Sequence, residues 1–347
     1  PPPPLVSPEV HAGGKVTFRL RAPQAQLVEV RGEWMKSGVR EKLAKGQDGV
    51  WSVTLGPLEP DLYNYTLFVD GVGIADPSNR LLKQGLRGPG SLVDVPGPSA
   101  NYHALRETAH GSLHIHHYLS AALAGPRRLH VYTPPGYETG TQKYPVLYLL
   151  HGSGDTDREW SEVGRAHWIA DNLLSEGRMR PMIIVMPDGH AAPSNAQDRS
   201  ANTRKFREDL LGDIIPLIER TYRVDARPEM RALAGLSMGG SQTLSIGLAH
   251  HNRFAWLGVF SSGVREDSRF EALTDPAAVN GNLKLFWIGM GKDDAGLARA
   301  QALAALLSKS GVRHEYKETE GAHTWIVWRR YLRDFLPRLF REGGSAN

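Results

Sequence analysis

Hydrophobic patterning divides the chain into two textures. Through residue 95 the apolar positions alternate with polar ones in short runs. In 16–20, Val16, Phe18 and Leu20 fall on one side of a strand and Thr17 and Arg19 on the other, until Pro23 breaks the run. Residues 27–30, 51–55 and 62–69 read the same way, separated by Gly, Pro and Asp. Asp70-Gly71 before Val72-Gly73-Ile74 predicts a tight hairpin. Short strands without a convincing helix predict an all-β sandwich over 1–95. The run Pro96-Gly97-Pro98-Ser99-Ala100-Asn101 opens an expected linker over 96–111. From residue 112 strands alternate with helices. Strands are predicted at 128–132, 145–150, 182–186, 230–234, 256–260, 283–290 and 312–317. Helices are predicted at 168–176, 206–222 (interrupted by Pro216), 240–250, 296–309 and 325–340. In 296–309, Leu297, Ala300, Ala304 and Leu307 share one face, and Gly311 closes the helix. Such alternation predicts an α/β domain over 112–342 with a mainly parallel sheet covered by helices.

At 347 residues there is room for both domains, and 41% hydrophobic with 22% charged residues is the composition of an ordinary globular protein. The net charge is only +4 and no dense Lys/Arg run occurs, which argues against nucleic acid as a partner. No apolar stretch approaches the ~18 residues needed to span a bilayer. The absence of cysteine removes disulfides, thiolate metal sites and a cysteine nucleophile.

The strand–helix junction at Gly235-Leu236-Ser237-Met238-Gly239 is the most informative local feature. A serine at a sharp strand-to-helix turn, flanked by small residues, is the nucleophile elbow of α/β-hydrolases. That fold carries its acid and histidine after the nucleophile, on loops at the carboxyl edge of the sheet. Four histidines follow Ser237. His250 and His251 end the elbow helix and His314 is expected within a strand. His323, between the last strand and the last helix, is left as the base. The acid is expected in Gly291-Lys292-Asp293-Asp294, where either aspartate can orient the imidazole while the other caps the next helix.

An oxyanion hole needs two backbone N–H groups. Met238, after the nucleophile, supplies one, and Ser153, in the loop His151-Gly152-Ser153-Gly154-Asp155, is expected to supply the other. His114, His116 and His117 lack a carboxylate or a third spaced ligand, so they read as ordinary strand histidines and no metal is expected. Trp256 and Trp287 fall on central strands and read as core. Trp160 and Trp325 flank the oxyanion loop and His323, so each is either packing or part of an aromatic or sugar pocket. Asp188 joins them as a candidate substrate contact. It opens a long polar segment, 188–205, that is either a lid or a surface insert.

Together these residues resemble carbohydrate esterase family 1, the feruloyl and acetylxylan esterases related to the esterase D group. The likeness is carried by residues 128–137 (RLHVYTPPGY), 148–152 (YLLHG), 185–189 (VMPDG), 235–240 (GLSMGG), 289–294 (GMGKDD) and 321–325 (GAHTW). It extends from about 112 to 341. The resemblance implies that Asp294, the last residue of its segment, is the acid. The front domain is similar to an early-set immunoglobulin-like module of the carbohydrate-binding module family 48 kind. Phe18 to Pro23, Gly32-Glu33-Trp34, Tyr63-Asn64-Tyr65, Val69-Asp70-Gly71 and Asp76-Pro77-Ser78-Asn79 carry that likeness. No exposed aromatic pair is evident there, so a packing or lid role is expected rather than sugar binding. After Asp294 the chain has Ala295-Gly296-Leu297 where such relatives carry a bulky aromatic-leucine pair, which implies a roomier or less hydrophobic acyl pocket.

The resemblance implies a serine carboxylester hydrolase that needs no cofactor. Its expected substrates are feruloyl or acetyl esters of plant cell-wall polysaccharides. A siderophore (enterobactin-type) trilactone esterase is the alternative within the fold, acyl transfer to a sugar is a third outcome of the same chemistry, and a non-catalytic carbohydrate-binding protein is the alternative from another class. A polymeric substrate and a start at Pro1-Pro2-Pro3-Pro4 rather than Met lead to the expectation of a secreted or periplasmic protein, with any signal segment out of sight.

Overall fold

The computed structural model describes residues 4–86, 88–193, 200–265 and 268–341, and the chain divides into two compact units, one through Leu105 and one from Arg106. The first unit contains two antiparallel sheets. One has the order Glu9–Val10, Val16–Arg21, Val50–Leu55, Ala44–Lys45. The other has the order Glu41–Lys42, Val28–Gly32, Asp61–Val69, Gly88–Val95, Leu82–Gly85, with Val72–Ile74 folded back on Asp61–Val69. The alternation in 16–20 sends Val16, Phe18 and Leu20 inward. The Phe18 ring meets Tyr65 of the opposite sheet edge-on at 4.8 Å and stacks on Trp34 at 5.4 Å. Trp51 is buried and donates its indole N–H to the Ala22 carbonyl (2.8 Å). No Phe, Tyr or Trp is exposed among the described residues of this unit, so none offers a platform for a sugar ring. Asp70 and Gly71 both have positive φ (49° and 88°), the turn that matches strand twist, and pair Val69 with Val72. The segment expected as a linker starts inside this unit. Pro98–His103 is a 3-10 turn whose buried His103 lies 3.1 Å from the Asp61 carboxylate.

The second unit is an eight-stranded sheet. Its strands are β1 (Ser112–Ser120), β2 (Gly125–Thr133), β3 (Val146–Leu150), β4 (Ile183–Pro187), β5 (Arg231–Leu236), β6 (Trp256–Phe260), β7 (Leu285–Gly291) and β8 (Glu315–Thr319), in the order β1-β2-β4-β3-β5-β6-β7-β8. The first two strands are antiparallel to their neighbours and the other six run parallel. Strands β3 to β6 are buried at every residue, as continuous apolar runs must be when helices cover both faces of a sheet. The helices are α1 (Glu159–Glu162), α2 (Ala166–Ser175), α3 (201–221), α4 (Met238–Ala249), α5 (Pro276–Asn282), α6 (Leu297–Lys309) and α7 (Trp325–Phe335).

Three differences from the sequence reading have local causes. Helix α3 is not broken at Pro216. Its turn Leu210–Ile214 widens to π geometry, which absorbs the missing proline N–H and the clash of its ring. Strand β8 starts at Glu315 rather than at 312, which leaves His314 outside it. Gly311, at φ 73°, closes α6, and the Val312 N–H is spent on the Leu307 carbonyl (2.9 Å). Helix α7 stops at Phe335 because Pro337 cannot donate the next bond, and a 3-10 turn, Leu336–Arg338, follows. Six parallel strands put their carboxyl ends on one edge. The loops bearing His151, Asp188, Ser237, Asp294 and His323 all leave from that edge.

Candidate active site

Ser237 is the single residue between β5 and α4, with φ 53° and ψ −110°. A non-glycine residue there is strained by about 1–3 kcal/mol, which the surroundings must offset. They do so by close packing. A Cβ on Gly235 would lie 2.6 Å from the Gly239 backbone, and one on Gly239 would lie 2.6 Å from both the Leu150 and His151 carbonyl oxygens. Only glycine lets the helix start this close to β3 and β5. The Ser237 N–H donates to the Phe260 carbonyl (2.8 Å), and Gly239 N–H to that of His151 (3.1 Å). The amide of Met238, in the first turn of α4, has no acceptor within its helix.

Asp294 follows β7 and His323 follows β8. Asp294 is 6% exposed. Its Oδ1 accepts from Gly296 N–H (2.8 Å), and its Oδ2 accepts from His323 Nδ1–H at 2.6 Å. A carboxylate can only accept, so the imidazole proton sits on Nδ1 and Nε2 is left to accept from the Ser237 hydroxyl at 2.9 Å. Burial pushes the Asp294 carboxyl up, but the His323 and Gly296 hydrogen bonds outweigh it and hold the group below its ordinary range. Asp293 is exposed at the same turn and its side chain takes no part in this chain of bonds. The edge of the Trp328 ring meets the imidazole at 4.9 Å and 89°.

Ser153 lies in an exposed turn closed by Asp155 N–H on the Gly152 carbonyl (3.2 Å). This turn runs past the nucleophile, since a Cβ on Gly152 would be 3.5 Å from that of Ser237. Its far end is anchored at Asp157, which accepts from His130 Nδ1–H (2.7 Å) and from both Arg128 Nε and Nη2 (2.7 and 2.8 Å). Burial raises the Asp157 carboxyl, but these donors prevail and depress it far below its usual range.

Gly189 ties its own loop to the His151 loop and to helices α3 and α4. Its N–H donates to His151 Nε2 (2.8 Å), and its carbonyl accepts from Gln242 Nε2 (2.9 Å) and Asn202 Nδ2 (3.0 Å). Asn202 Oδ1 accepts from the Ala191 and Ala192 amides, and its amide lies 3.7 Å from Met238 Sδ. These polar groups were not singled out from the sequence. Gln242 one turn into α4 and the Asp-Gly after β4 are the signals that could have found them.

Asp188 sits at this junction, with its Oδ1 accepting from His190 N–H (2.9 Å) and Arg127 3.7 Å from its Oδ2. Its Oδ1 holds the loop, and the carboxylate stays partly exposed, at 28% of the side chain. Of the segment expected as a lid or a surface insert, Gly189, Ala191 and Ala192 are held by Asn202, residues 201–205 begin α3, and 194–199 lie outside the described residues. Trp160 and Trp325 do not line a pocket. They are 1% and 2% exposed, meet edge to face at 5.1 Å, and Trp160 donates to the Leu150 carbonyl (2.9 Å). They pack beneath the site, and Trp325 continues to Trp328 at 5.3 Å. His114 and His116 turn to Thr133 (3.0 Å) and the Tyr222 hydroxyl (2.5 Å). Among the described residues no cluster of three His, Asp or Glu is placed to hold a metal, and no helix is long and apolar enough to cross a membrane.

Residues 120–339 match the model of the Esterase family. Over 343 residues the chain is 31% identical to an endo-1,4-beta-xylanase/feruloyl esterase of Xylanibacter ruminicola. The match covers 96% of this chain and 46% of that protein, so the chain spans less than half of its relative. Among solved structures, a ferulic acid esterase from Anaeromyces mucronatus overlays with a TM-score of 0.61 at 26% identity, over 70% of this chain and 96% of its own. The enterobactin esterase of Shigella flexneri overlays with a TM-score of 0.66 at 20% identity, over 92% of each chain, which is a likeness of fold.

Proposed function

Because the chain belongs to the esterase family and is a carboxylic ester hydrolase, we propose that it works through Ser237, His323 and Asp294 on feruloyl or acetyl esters of plant cell-wall polysaccharides. The continuous hydrogen-bonded chain from Ser237 through His323 to Asp294, at 2.9 and 2.6 Å, supports this reading of the catalysis. Ser237 Oγ attacks the ester carbonyl carbon as His323 Nε2 takes its proton, and Asp294 stabilises the imidazolium that forms. The tetrahedral oxyanion is received by the N–H groups of Met238 and Ser153, each contributing about 3 kcal/mol. Collapse expels the alcohol, protonated by His323. A water then loses its proton to the same nitrogen, attacks the acyl-enzyme and releases the acid.

The substrate class rests on the likeness to the xylanase/feruloyl esterase, which runs through both units of the chain. The first unit is read as an immunoglobulin-like module of the carbohydrate-binding module family 48 kind, with a packing role, because its aromatic side chains are turned inward. The exposed Ala295 beside Asp294 supports a roomy acyl pocket. A polymeric cell-wall substrate also implies that the protein acts outside the cytoplasm.

One observation favours a second reading. The enterobactin esterase fold covers both units, whereas the ferulic acid esterase covers 70% of the chain. A panel of methyl ferulate, acetylated xylan and a catecholate trilactone separates the two. The proposal expects kcat/KM to be highest on the feruloyl or acetyl ester, and preferential cleavage of the trilactone would overturn it.

A further inference from the structure

The exposed large hydrophobic side chains of the second unit fall on one strand. Among its described residues they are Leu113, Ile115 and Leu119 of β1, exposed to 41%, 57% and 81%. The two-residue period of a strand puts them on one face, with the exposed His117 in the same row. The opposite face is occupied, since His114, His116 and Tyr118 bond to Thr133, the Tyr222 hydroxyl and the Asp209 carboxylate. Strand β1 is also an edge of the sheet. It pairs with β2 without a bulge from Ser112↔Thr133 to Ser120↔Gly125, and among the described residues no strand pairs with its other side. Edges are ordinarily protected by Lys, Pro, a charge or a bulge, and Ser112–Ser120 has none of these. An open ladder beside an apolar stripe marks a surface built for another strand.

The order of residues in β1 says which strand fits. It is nearly symmetric about His116, with Leu113 and Leu119 at equal distances on either side and Ser112 and Ser120 beyond them. A two-fold axis through His116 lays a second copy antiparallel to the first. Leu113 then opposes Leu119, Ile115 opposes His117 and Ser112 opposes Ser120, each pair occurring twice. Opposed residues in this register are an even number of positions apart in the strand, so they share a face. For the same reason the outward N–H and C=O groups of one copy meet those of the other. The register pairs all nine residues of the strand. Moving the axis by one residue would set Leu119 against Gly111 or Leu113 against Ala121. The strand contains no Asp, Glu, Lys or Arg, so no like charges are opposed. At about 3.3 Å per residue the strand is roughly 30 Å long. Two such edges with their side chains bury on the order of 1,000 Å² in total, which is the size of a weak, reversible interface.

We propose that β1 is a dimer interface, where two copies of the chain join their sheets antiparallel about His116 and cover the Leu113, Ile115 and Leu119 stripes. The ladder hydrogen bonds hold the two edges together, and the opposed leucines fix the register. Three strands separate β1 from β5 and its nucleophile, so the proposal stands apart from the triad reading.

The test is sedimentation velocity of the full-length chain over about 1–200 µM, a range that brackets an interface of this size. The parent is expected to pass from monomer to dimer as concentration rises. Ile115→Lys and Leu119→Lys place a charge in the stripe and are expected to weaken association at least about tenfold. Their hydrolysis of p-nitrophenyl acetate should stay parental, which shows that they remain folded. Because the chain contains no cysteine, an introduced disulfide can report the register. In the double variant Leu113→Cys/Leu119→Cys the two thiols of one chain are about 20 Å apart along the strand, too far to bridge. Across the two-fold axis they stand opposite each other. Mild oxidation is expected to give a covalent dimer from the double variant and monomer from either single variant. A parent that stays monomeric throughout, its stripe solvated or covered by another part of the chain, would overturn the proposal. So would a dimer indifferent to both lysines, or single cysteine variants that cross-link as readily as the pair.

Discussion

Replacing Asp294 by Asn changes one oxygen to an NH2 group at constant shape, and the local geometry says which way the amide turns. Oδ1 accepts from the Gly296 N–H at 2.8 Å and Oδ2 faces His323 Nδ1 at 2.6 Å. The remaining carbonyl oxygen of Asn can serve only one of these. If it turns to His323, the part-buried Gly296 N–H loses its acceptor, at a cost of about 1–3 kcal/mol. If it stays on Gly296, the NH2 group points at Nδ1. The imidazole then carries its proton on Nε2, where it faces the Ser237 hydroxyl and cannot take a proton from it. The productive orientation is thereby disfavoured by roughly 5- to 150-fold. Loss of the negative charge opposite the imidazolium adds to this, and Asp→Asn changes in such triads cost about 10⁴ in kcat. We expect Asp294→Asn to lower kcat on p-nitrophenyl acetate by about three to four orders of magnitude with KM little changed and the melting temperature near that of the parent. Asp293→Asn should be near parental, because that side chain is exposed at the turn. An Asp294→Asn protein with more than about a tenth of parental kcat, alongside an inactive Asp293→Asn, would refute the reasoning.

Two further outcomes follow from the packing around the site. Trp160→Ala should cost about 3–5 kcal/mol in urea unfolding, because its buried ring would leave a cavity against Trp325 and Phe260. A stable Trp160→Ala variant with a raised KM on xylan esters would instead restore the sugar-pocket role that burial argues against. Asp157 has its carboxyl held below the ordinary value near 3.9, so its contribution to stability is full above about pH 4 and is lost as pH falls toward the depressed value. Asp157→Asn should therefore be less stable at neutral pH and lose less stability on acidification. Parallel stability–pH curves for parent and variant would contradict this.

Much of the site could be read from the chain because its chemistry depends on order along a parallel sheet. Ser237, Asp294 and His323 each follow a strand whose apolar run is visible, and all parallel strands end on one edge. The same logic located the inward aromatics of the first unit, since Phe18 and Trp51 lie on alternating strands. Elements at the ends of helices were read less well. Pro216 signals a break, but a widened turn absorbs it. Gly311 correctly marks the close of α6, yet that closure takes the Val312 N–H that would have begun β8 earlier. Side chains that build the site from outside the motifs were invisible for another reason. Gln242, Asn202 and Asp157 act through partners distant in sequence, and nothing in local periodicity announces those pairs. Trp160 and Trp325 stayed open between packing and a pocket wall because nearness to a site in sequence does not say which way a ring points.

The account turns on a covalent bond to one serine. A fluorophosphonate probe followed by peptide mass spectrometry tests this most directly. The reading predicts one adduct per chain, on the peptide carrying Ser237, with loss of ester hydrolysis in step with labelling and no adduct in Ser237→Ala. Full activity after saturating treatment, or stoichiometric labelling at another residue, would contradict it.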